Sequence, residues 1–418
     1  MPMHARVSIL LFLLLAMAMG PARAQGLSID IVNGNASALP VAVVPFAFEG
    51  AGLPPDTDVA AVIAADLNRC GQFRALPRQD IVEFPVRGNE IKFATWRVLK
   101  QDFIVVGRVQ DAEGGAYRIE FELFDVAKQA PLLRLAVGGR PGELRGAFWT
   151  RMAYVTAVGT GRNIQYALMV ADSDGYNPQT VVRSREPLLS PAWSPDGRKL
   201  AYVSFERGNS SIYVQEIATG SREILAANKG INGSPNFSPD GTRLALTLSM
   251  SGNPEIYVMD LAARRSSQVT RHFGIDTEPV WTADGQSLLF TSDRSGKPQI
   301  YQVPAAGGDA QRLTFEGEYN ARASVAYDGK RIAMVQGTGN RYRIAVLDRA
   351  LGETRALSPG NLDESPSFAP NGSMILYAAR EGTRGVLYAV SADGRVRQRL
   401  VLADGDVREP AWSPFRQR

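Results

Sequence analysis

The chain carries one cysteine, Cys70, and two histidines, His4 and His272. One thiol cannot form an intramolecular disulfide. His4 falls in a leader described below, so one histidine remains, and a metal site built from two or three histidines is excluded. A Ser–His–acid triad would have to use His272, in the loop Thr270-Arg-His-Phe-Gly274, where a histidine is far more often solvated than catalytic. No Gly-x-Ser-x-Gly elbow, P-loop or strand-linked Gly-x-Gly-x-x-Gly occurs. Charge of one sign is also lacking. Lys and Arg number 46 against 42 Asp and Glu, and with Arg6 and Arg23 in the leader the mature excess is +2. That balance argues against a nucleic-acid partner. The expectation is a chain with no catalytic residue, no metal site and no cofactor.

Long apolar runs are absent too, except at the N-terminus. Arg6 precedes the apolar stretch Val7 to Met19, and Ala22-Arg-Ala24 is a small-x-small cleavage site. Residues 1–24 therefore read as an export signal cut between Ala24 and Gln25. The run is shorter than the ~20 residues of a membrane span, so no direct membrane insertion is expected. Residue 25 is Gln and not Cys, which gives no sign of a lipid anchor.

What the chain does contain is a repeat. Ser190-Pro-Ala-Trp-Ser-Pro-Asp-Gly197 returns as Ser234-Pro-Asn-Phe-Ser-Pro-Asp-Gly241, Glu278-Pro-Val-Trp-Thr-Ala-Asp-Gly285 and Ser365-Pro-Ser-Phe-Ala-Pro-Asn-Gly372. A worn copy spans Arg322 to Gly329, and Glu409-Pro-Ala-Trp-Ser-Pro414 is truncated. Asp196, Asp240, Asp284 and Asp328 recur at an interval of 44, the range of propellers and solenoids. Each copy reads as a strand opened by proline, a tight Asp-Gly hairpin, an apolar second strand such as Lys199 to Ser204, a third such as Ser211 to Glu216, and a short polar fourth. First strands at Pro191, Pro235, Pro279, Ala323, Pro366 and Pro410 number six, as do second strands near Met152, Leu200, Leu244, Leu288, Ile332 and Met374. The two series are out of step. A closed six-bladed ring, with the C-terminal strand completing the blade begun at Arg151, resolves this and leaves no open edge. Trp193, Trp281 and Trp412 share one register and read as packing between blades.

Residues 25–148 lack the repeat. Val41 to Phe46 is an expected strand, Val59 to Leu67 a helix after Asp58, Phe73 to Leu76 a strand, Phe93 to Lys100 a second helix, and Phe103 to Gly107 and Tyr117 to Asp125 further strands. The fold class is thus a small α/β domain with a mixed sheet and two helices, followed by an all-β propeller over 149–418. Leu27, Ile29 and Ile31 alternate before the first strand, so residues 25–33 can add to a sheet edge, either of their own domain or of a partner.

In an up-and-down blade, the connections entering the first strand and those linking strands two and three emerge on one face. These are Ile231-Asn-Gly-Ser234, Asp276-Thr-Glu278, Tyr319-Asn-Ala-Arg322, Leu362-Asp-Glu-Ser365 and Asp406-Val-Arg-Glu409, with Phe205 to Gly208, Ser249 to Gly252, Asp293 to Gly296 and Arg380 to Gly382. Polar loops on a rigid scaffold are where binding residues concentrate, although an ordinary solvated rim has the same composition.

With these features together, the chain resembles the TolB family of the Tol–Pal envelope system. The resemblance rests on the leader, Val-Val-Pro-Phe46, the Ser-Pro-Asp-Gly turns, Gly146-Ala-Phe-Trp-Thr-Arg-Met-Ala-Tyr-Val155, Thr277-Glu-Pro-Val-Trp281, Phe290 to Tyr301, Leu362 to Pro366 and Pro410 to Pro414. One departure is a short stretch between Leu135 and Gly146, where the family carries a longer segment with a helix. The resemblance implies a periplasmic, non-catalytic, monomeric adaptor. It would bind the lipoprotein Pal at the propeller's channel mouth and the inner-membrane protein TolA through its N-terminal segment, in the service of outer-membrane integrity and invagination at division. The Pal-facing residues would be Ile231, Asn232, Ser234, Thr277, Glu278, Asn320, Arg322, Asp363, Glu364 and Arg408. The TolA-facing ones would be Gln25, Leu27, Ile29, Asp30, Ile31 and Asn33. The alternative is an exported propeller enzyme of peptidase or lyase type.

Overall fold

The computed structural model describes residues 38–416 apart from 56–57, 70–72, 113–115, 140–149, 174, 176, 361, 395–396 and 401–404. The leader, the Ala24–Gln25 cleavage pair, residues 25–33, Cys70 and the 146–149 part of the junction motif lie outside the described residues. Packing divides the chain into two compact units. One contains Val59–Gly107, Phe121–Arg134 and the described residues up to Phe46; the other contains Ala47–Asp58, Arg108–Glu120 and Leu135 onward.

A mixed sheet is formed by β1 (Leu39–Val43), β2 (Ala47–Phe48), β3 (Phe73–Ala75), β4 (Phe103–Ala112), β5 (Ala116–Asp125) and β6 (Ala130–Gly139). Its order is β3-β1-β4-β5-β6, with β2 paired to β4. β1 runs parallel to both β3 and β4. Val41, Val43 and Val105 cluster with Ala60, Ile63 and Leu67 of helix α1 (Val59–Arg69). Ala42, Val44, Ile104 and Val106 cluster with Trp96 of helix α2 (Phe93–Val98). Each helix covers one face of the sheet, so the central strands are apolar at successive positions. Two expected boundaries move inward. The first strand stops at Val43, and the second helix stops at Val98 rather than Lys100, because Lys100 adopts a φ of +57° that no right-handed helix can continue.

The remaining strands form six four-stranded sheets. Blade 1 is Asp406–Trp412, Arg151–Val158, Gln165–Asp172 and Gln179–Ser184, in that order from the inside. The inner strands of blades 2 to 6 are Leu188–Trp193, Asn232–Phe237, Asp276–Trp281, Tyr319–Val325 and Glu364–Phe368. The expected overlap of chain ends is therefore present: Trp412 sits opposite Met152, and Arg408 opposite Val155. Trp412 Nε1 donates to Thr150 Oγ1 at 2.6 Å, and the Arg151 N–H donates to Ser413 Oγ at 2.7 Å. Trp412, Met152 and Tyr154 share one buried cluster.

The hairpin turns work as their sequence suggests. Asp196 Oδ1 accepts from Ser194 Oγ at 2.5 Å and from the Arg198 N–H at 3.0 Å, while Gly197 takes a φ of +68°. Ser238 with Asp240 and Thr282 with Asp284 repeat the bond at 2.5 and 2.6 Å. The prolines, however, do not open their strands. The blade 2 inner strand begins at Leu188, three residues before Pro191, and the ladder skips between Leu189 and Ala192. The missing N–H of proline falls at a bulge, where the ladder asks for no donor.

Closure carries a measurable consequence. Trp412→Ala removes a buried aromatic from the seam and is expected to cost ~3–5 kcal/mol, the range for buried Phe or Trp truncation. Denaturant unfolding would read this as a lower midpoint. A midpoint equal to the parent's would show that the ring does not depend on its seam.

Candidate functional site

All six inner strands break register at the same place: 189/192, 233/236, 277/280, 321/324, 364/367 and 408/411. At each break one residue takes a left-handed backbone: Ser190, Ser234, Glu278, Arg322, Ser365 and Glu409, with φ between +47° and +57°. None is glycine. Such a backbone costs of order 1–3 kcal/mol per residue and persists only where surrounding bonds hold it. Here the strain is spent on geometry, because these six residues line one central cavity of about 370 Å³.

Three of the six are charged, and they find one another. Arg322 Nε donates to Glu278 Oε1 at 3.0 Å, and its Nη1 donates to Glu409 Oε1 at 3.1 Å and also to Ser365 Oγ. The Arg322 N–H donates to Glu278 Oε2 at 3.1 Å, an oxygen that also accepts from Thr291 Oγ1 at 2.8 Å. Glu409 Oε2 accepts the Ser190 N–H at 3.1 Å. Burial opposes the charge on Arg322, but Glu409, Glu278 and Glu364 outweigh it and hold the guanidinium pKa above its ordinary value. One cation thus ties blade 5 to blades 4, 6 and 1. Ser234 belongs to the same ring, half-buried in blade 3.

Two residues earlier in blades 3 to 6 stand Asn232, Asp276, Asn320 and Asp363, all buried. Asn232 Nδ2 donates to the Asn228 and Ser210 carbonyls at 2.7 and 3.0 Å, and its Oδ1 accepts the Asn228 N–H at 2.9 Å. Asp276 accepts from Ser292 Oγ and Arg294 Nη2, each at 2.6 Å. Asn320 Nδ2 donates to the Glu316 carbonyl at 2.8 Å and to Gln299 Oε1 at 2.9 Å. Burial pushes the Asp363 carboxyl up, against the pull of Ser358 and Arg397. Three residues expected on the rim are therefore corrected. Asn232, Asn320 and Asp363 offer a partner no surface; they hold the mouth loops from within.

Beside charged residues such as Lys229, Arg271 and Glu316, the loops expose apolar ones. Ile231, Ile275 and Leu362 each precede one of these buried residues, and each is about half exposed, at 49%, 47% and 49%. Phe273 and Phe315, on the same loops, are 88% and 74% exposed. Of these, only Ile231 was expected to face a partner, although an apolar residue directly before Asn or Asp marks the position in three blades. Thr277 is half-buried, its Oγ1 3.4 Å from Thr247 Oγ1. Glu278 and Arg322 are held in the ring described above. Glu364 is exposed, and half-buried Arg408 pairs with Asp406. His272 is engaged locally: its N–H donates to Glu255 Oε1 at 2.7 Å, and its Nδ1 accepts the Gly274 N–H at 2.9 Å. Burial raises the Glu255 carboxyl pKa, and the neighbouring Asp276 carboxylate adds to that effect. The structure brings Ile231, Ser234, Thr277, Glu278, Arg322, Glu364 and Arg408 to one mouth. Gln25, Leu27, Ile29, Asp30, Ile31 and Asn33 lie outside the described residues. Rigid loops with an apolar edge around a charged, internally paired channel form a surface suited to holding another protein.

Comparison with known proteins places this geometry in context. The family model of the TolB amino-terminal domain matches residues 27–132, and that of the TolB beta propeller domain matches 142–416. The Tol-Pal system protein TolB of Xanthomonas campestris pv. campestris (strain B100) is 70% identical over 415 residues, covering 94% of each chain. Its counterpart in Xanthomonas oryzae pv. oryzae (strain KACC10331 / KXO85) is 68% identical over 432 residues, covering 99% of this chain and 98% of that one. The crystal structure of TolB from Acinetobacter baumannii, 41% identical, superposes with a TM-score of 0.67 over 90% of this chain and 97% of its own.

The ring of charges makes a stability prediction. Exposed ion pairs are worth ~0.2–1 kcal/mol, and breaking a buried one costs ~3–5 kcal/mol. Half-buried Arg322 falls between, so Arg322→Met is expected to cost about 2 kcal/mol in urea unfolding, by leaving two acids unpaired. Arg322→Met with Glu278→Gln and Glu409→Gln should recover at least half of that loss. A triple variant less stable than the single one would contradict the assignment.

Proposed function

The chain belongs to the TolB family, and from that premise we propose that it is a periplasmic, non-catalytic adaptor of the Tol–Pal system that docks the lipoprotein Pal at the channel mouth. The observation that carries this reading is the mouth itself. Buried Asn232, Asp276, Asn320 and Asp363 fix four loops, and those loops present Ile231, Phe273, Ile275, Phe315 and Leu362 to solvent. Preformed loops lose little conformational freedom on binding, and exposed aromatic and aliphatic side chains supply the buried area. Thr277, Glu364 and Arg408 add polar edges. The Tol–Pal name of the relatives supports the choice of partner.

The second half of the proposal concerns residues 25–33. By family position, Gln25, Leu27, Ile29, Asp30, Ile31 and Asn33 form the segment read by TolA, which adds to a TolA sheet edge through its alternating apolar residues. The protein then links an outer-membrane lipoprotein to an inner-membrane complex, with roles in envelope integrity and division. The domains carrying these tasks are 25–148 and 149–418, after removal of residues 1–24 in export.

The test is a calorimetric titration of the mature chain with soluble Pal. Thr277→Arg places a long cation at the edge of the mouth, and Phe273→Ala removes an exposed anchor; each is expected to weaken binding tenfold or more. Tyr327→Ala, on the opposite face, should leave it unchanged. Wild-type affinity in both mouth variants would reject the reading.

A further inference from the structure

The face opposite the mouth, where the Asp-Gly turns lie, repeats a second contact. At the junction of blades 1 and 2, the Arg151 guanidinium stands 5.1 Å from the centre of the Trp193 ring and donates from Nη2 to the Gly197 carbonyl at 2.9 Å. At blades 3 and 4, Arg243 stands 4.4 Å from Trp281 and donates to the Gly285 carbonyl at 3.3 Å. At blades 5 and 6, Arg331 stands 5.8 Å from Phe368 and donates to the Gly372 carbonyl at 3.0 Å. Each arginine begins the second strand of one blade. Each aromatic ends the inner strand of the next, and each glycine closes that strand's turn.

The other three junctions depart from this in different ways. Between blades 6 and 1, Met374 takes the arginine position and packs against the cluster containing Trp412. Between blades 4 and 5, Ser287 faces a strand ending in Val325, so no ring is available to stack on. Between blades 2 and 3, the aromatic Phe237 and the turn glycine Gly241, at φ +69°, are both in place, but the arginine position holds exposed Lys199. A cavity of about 480 Å³ opens at this junction, floored by Val214, Leu225, Phe237 and Leu261 and edged by Asp196 and Asp240. The Ser238 hydroxyl and the Thr242 N–H bring the Asp240 carboxyl down to about 2, so it is ionised at neutral pH. Arg264, which lines the cavity, is engaged with Glu223 at 2.7 Å, and Arg243 reaches Asp240 Oδ2 only at 3.8 Å while it serves the clamp of the next junction.

We propose that this cleft receives an arginine side chain from a partner polypeptide, which stacks on Phe237 and donates to the Gly241 carbonyl as a fourth copy of the clamp, and beyond that copy pairs with Asp240. Three copies within the same molecule define the ligand's chemistry. A planar guanidinium can stack and donate at the same time; an ammonium on a flexible stem, such as Lys199, does this less well. The apolar floor and ionised edge suit an arginine whose stem is buried and whose head is paired. The site lies at the far end of the inner strands from the mouth, so its occupant does not compete with one docked there.

The test follows backbone amide shifts of the isotopically labelled mature chain while N-acetyl-arginine amide is added, with N-acetyl-lysine amide in parallel. Saturable shifts are expected at residues 236–242, with dissociation constants in the millimolar range and lysine binding at least about fivefold weaker. Lys199→Arg supplies the guanidinium in cis and should abolish these shifts while raising the melting temperature. Asp240→Asn should weaken binding about tenfold, as loss of a charged partner does. The turn survives that change, because Asn371 holds the same place in blade 6, its Oδ1 accepting from the Ser373 N–H at 3.1 Å. Equal binding of the two compounds, or full binding by Lys199→Arg, would overturn the proposal.

Discussion

The pairing of residues 406–412 with residues 151–158 is the constraint on which the other features rest. A sheet at the end of an open array exposes an unpaired strand edge and an apolar face. Here the last strand in the chain becomes the innermost strand of the first blade, so every blade packs between two others. Second strands such as Leu200 to Ser204 are then buried on both faces, and the apolar residue that ends an inner strand, such as Trp193 or Trp281, joins the cluster at a junction. Closure also fixes the six inner strands around a single axis. A bulge repeated in each of them becomes a ring of six side chains, which separate sheets could not form.

That ring explains how a polar channel coexists with a rigid mouth. Left-handed Glu278, Arg322 and Glu409 are unfavourable one by one, but Arg322 bridges the two carboxylates across blades, and neighbouring hydroxyls and N–H groups take up the remaining oxygens. Above the ring, buried Asn232 and Asn320 bond the backbone of their loops, and buried Asp276 holds the Ser292 and Arg294 side chains. The apolar residues among the exposed loop tips then have their positions set before any partner arrives. Pre-organisation of this kind converts contact area into affinity with little ordering cost.

Much of this was legible in the sequence. The 44-residue spacing, the out-of-step strand series and the Asp-Gly turns gave the blades, their number and the seam, because turn chemistry and strand period are local properties. The mixed sheet and both helices followed from apolar spacing. The prolines were misplaced within their strands, because a bulge and a strand start make the same local demand, a missing N–H. The rim was harder to read. Asn232, Asn320 and Asp363 look like surface polar residues until the loop backbone is seen folding over them. Phe273 lies in a loop read only for its histidine, and nothing local marks Phe315, until the same loops are seen to carry both outward. The Arg322 bridges join residues 44 and 87 positions apart, a relation that only the closed ring creates.

A seamed ring that presents preformed loops at one end makes a sharp demand on hydrogen exchange. Exchange should be compared between the free mature chain and the chain mixed with soluble Pal, the proposed partner. Added protection is expected only at the connections around residues 228–234, 270–278, 314–322 and 358–365, with strands 151–158 and 406–412 already among the slowest in the free protein. Protection appearing instead at the turns near residues 196, 240 and 284, or fast exchange throughout the 406–412 strand of the free chain, would contradict it.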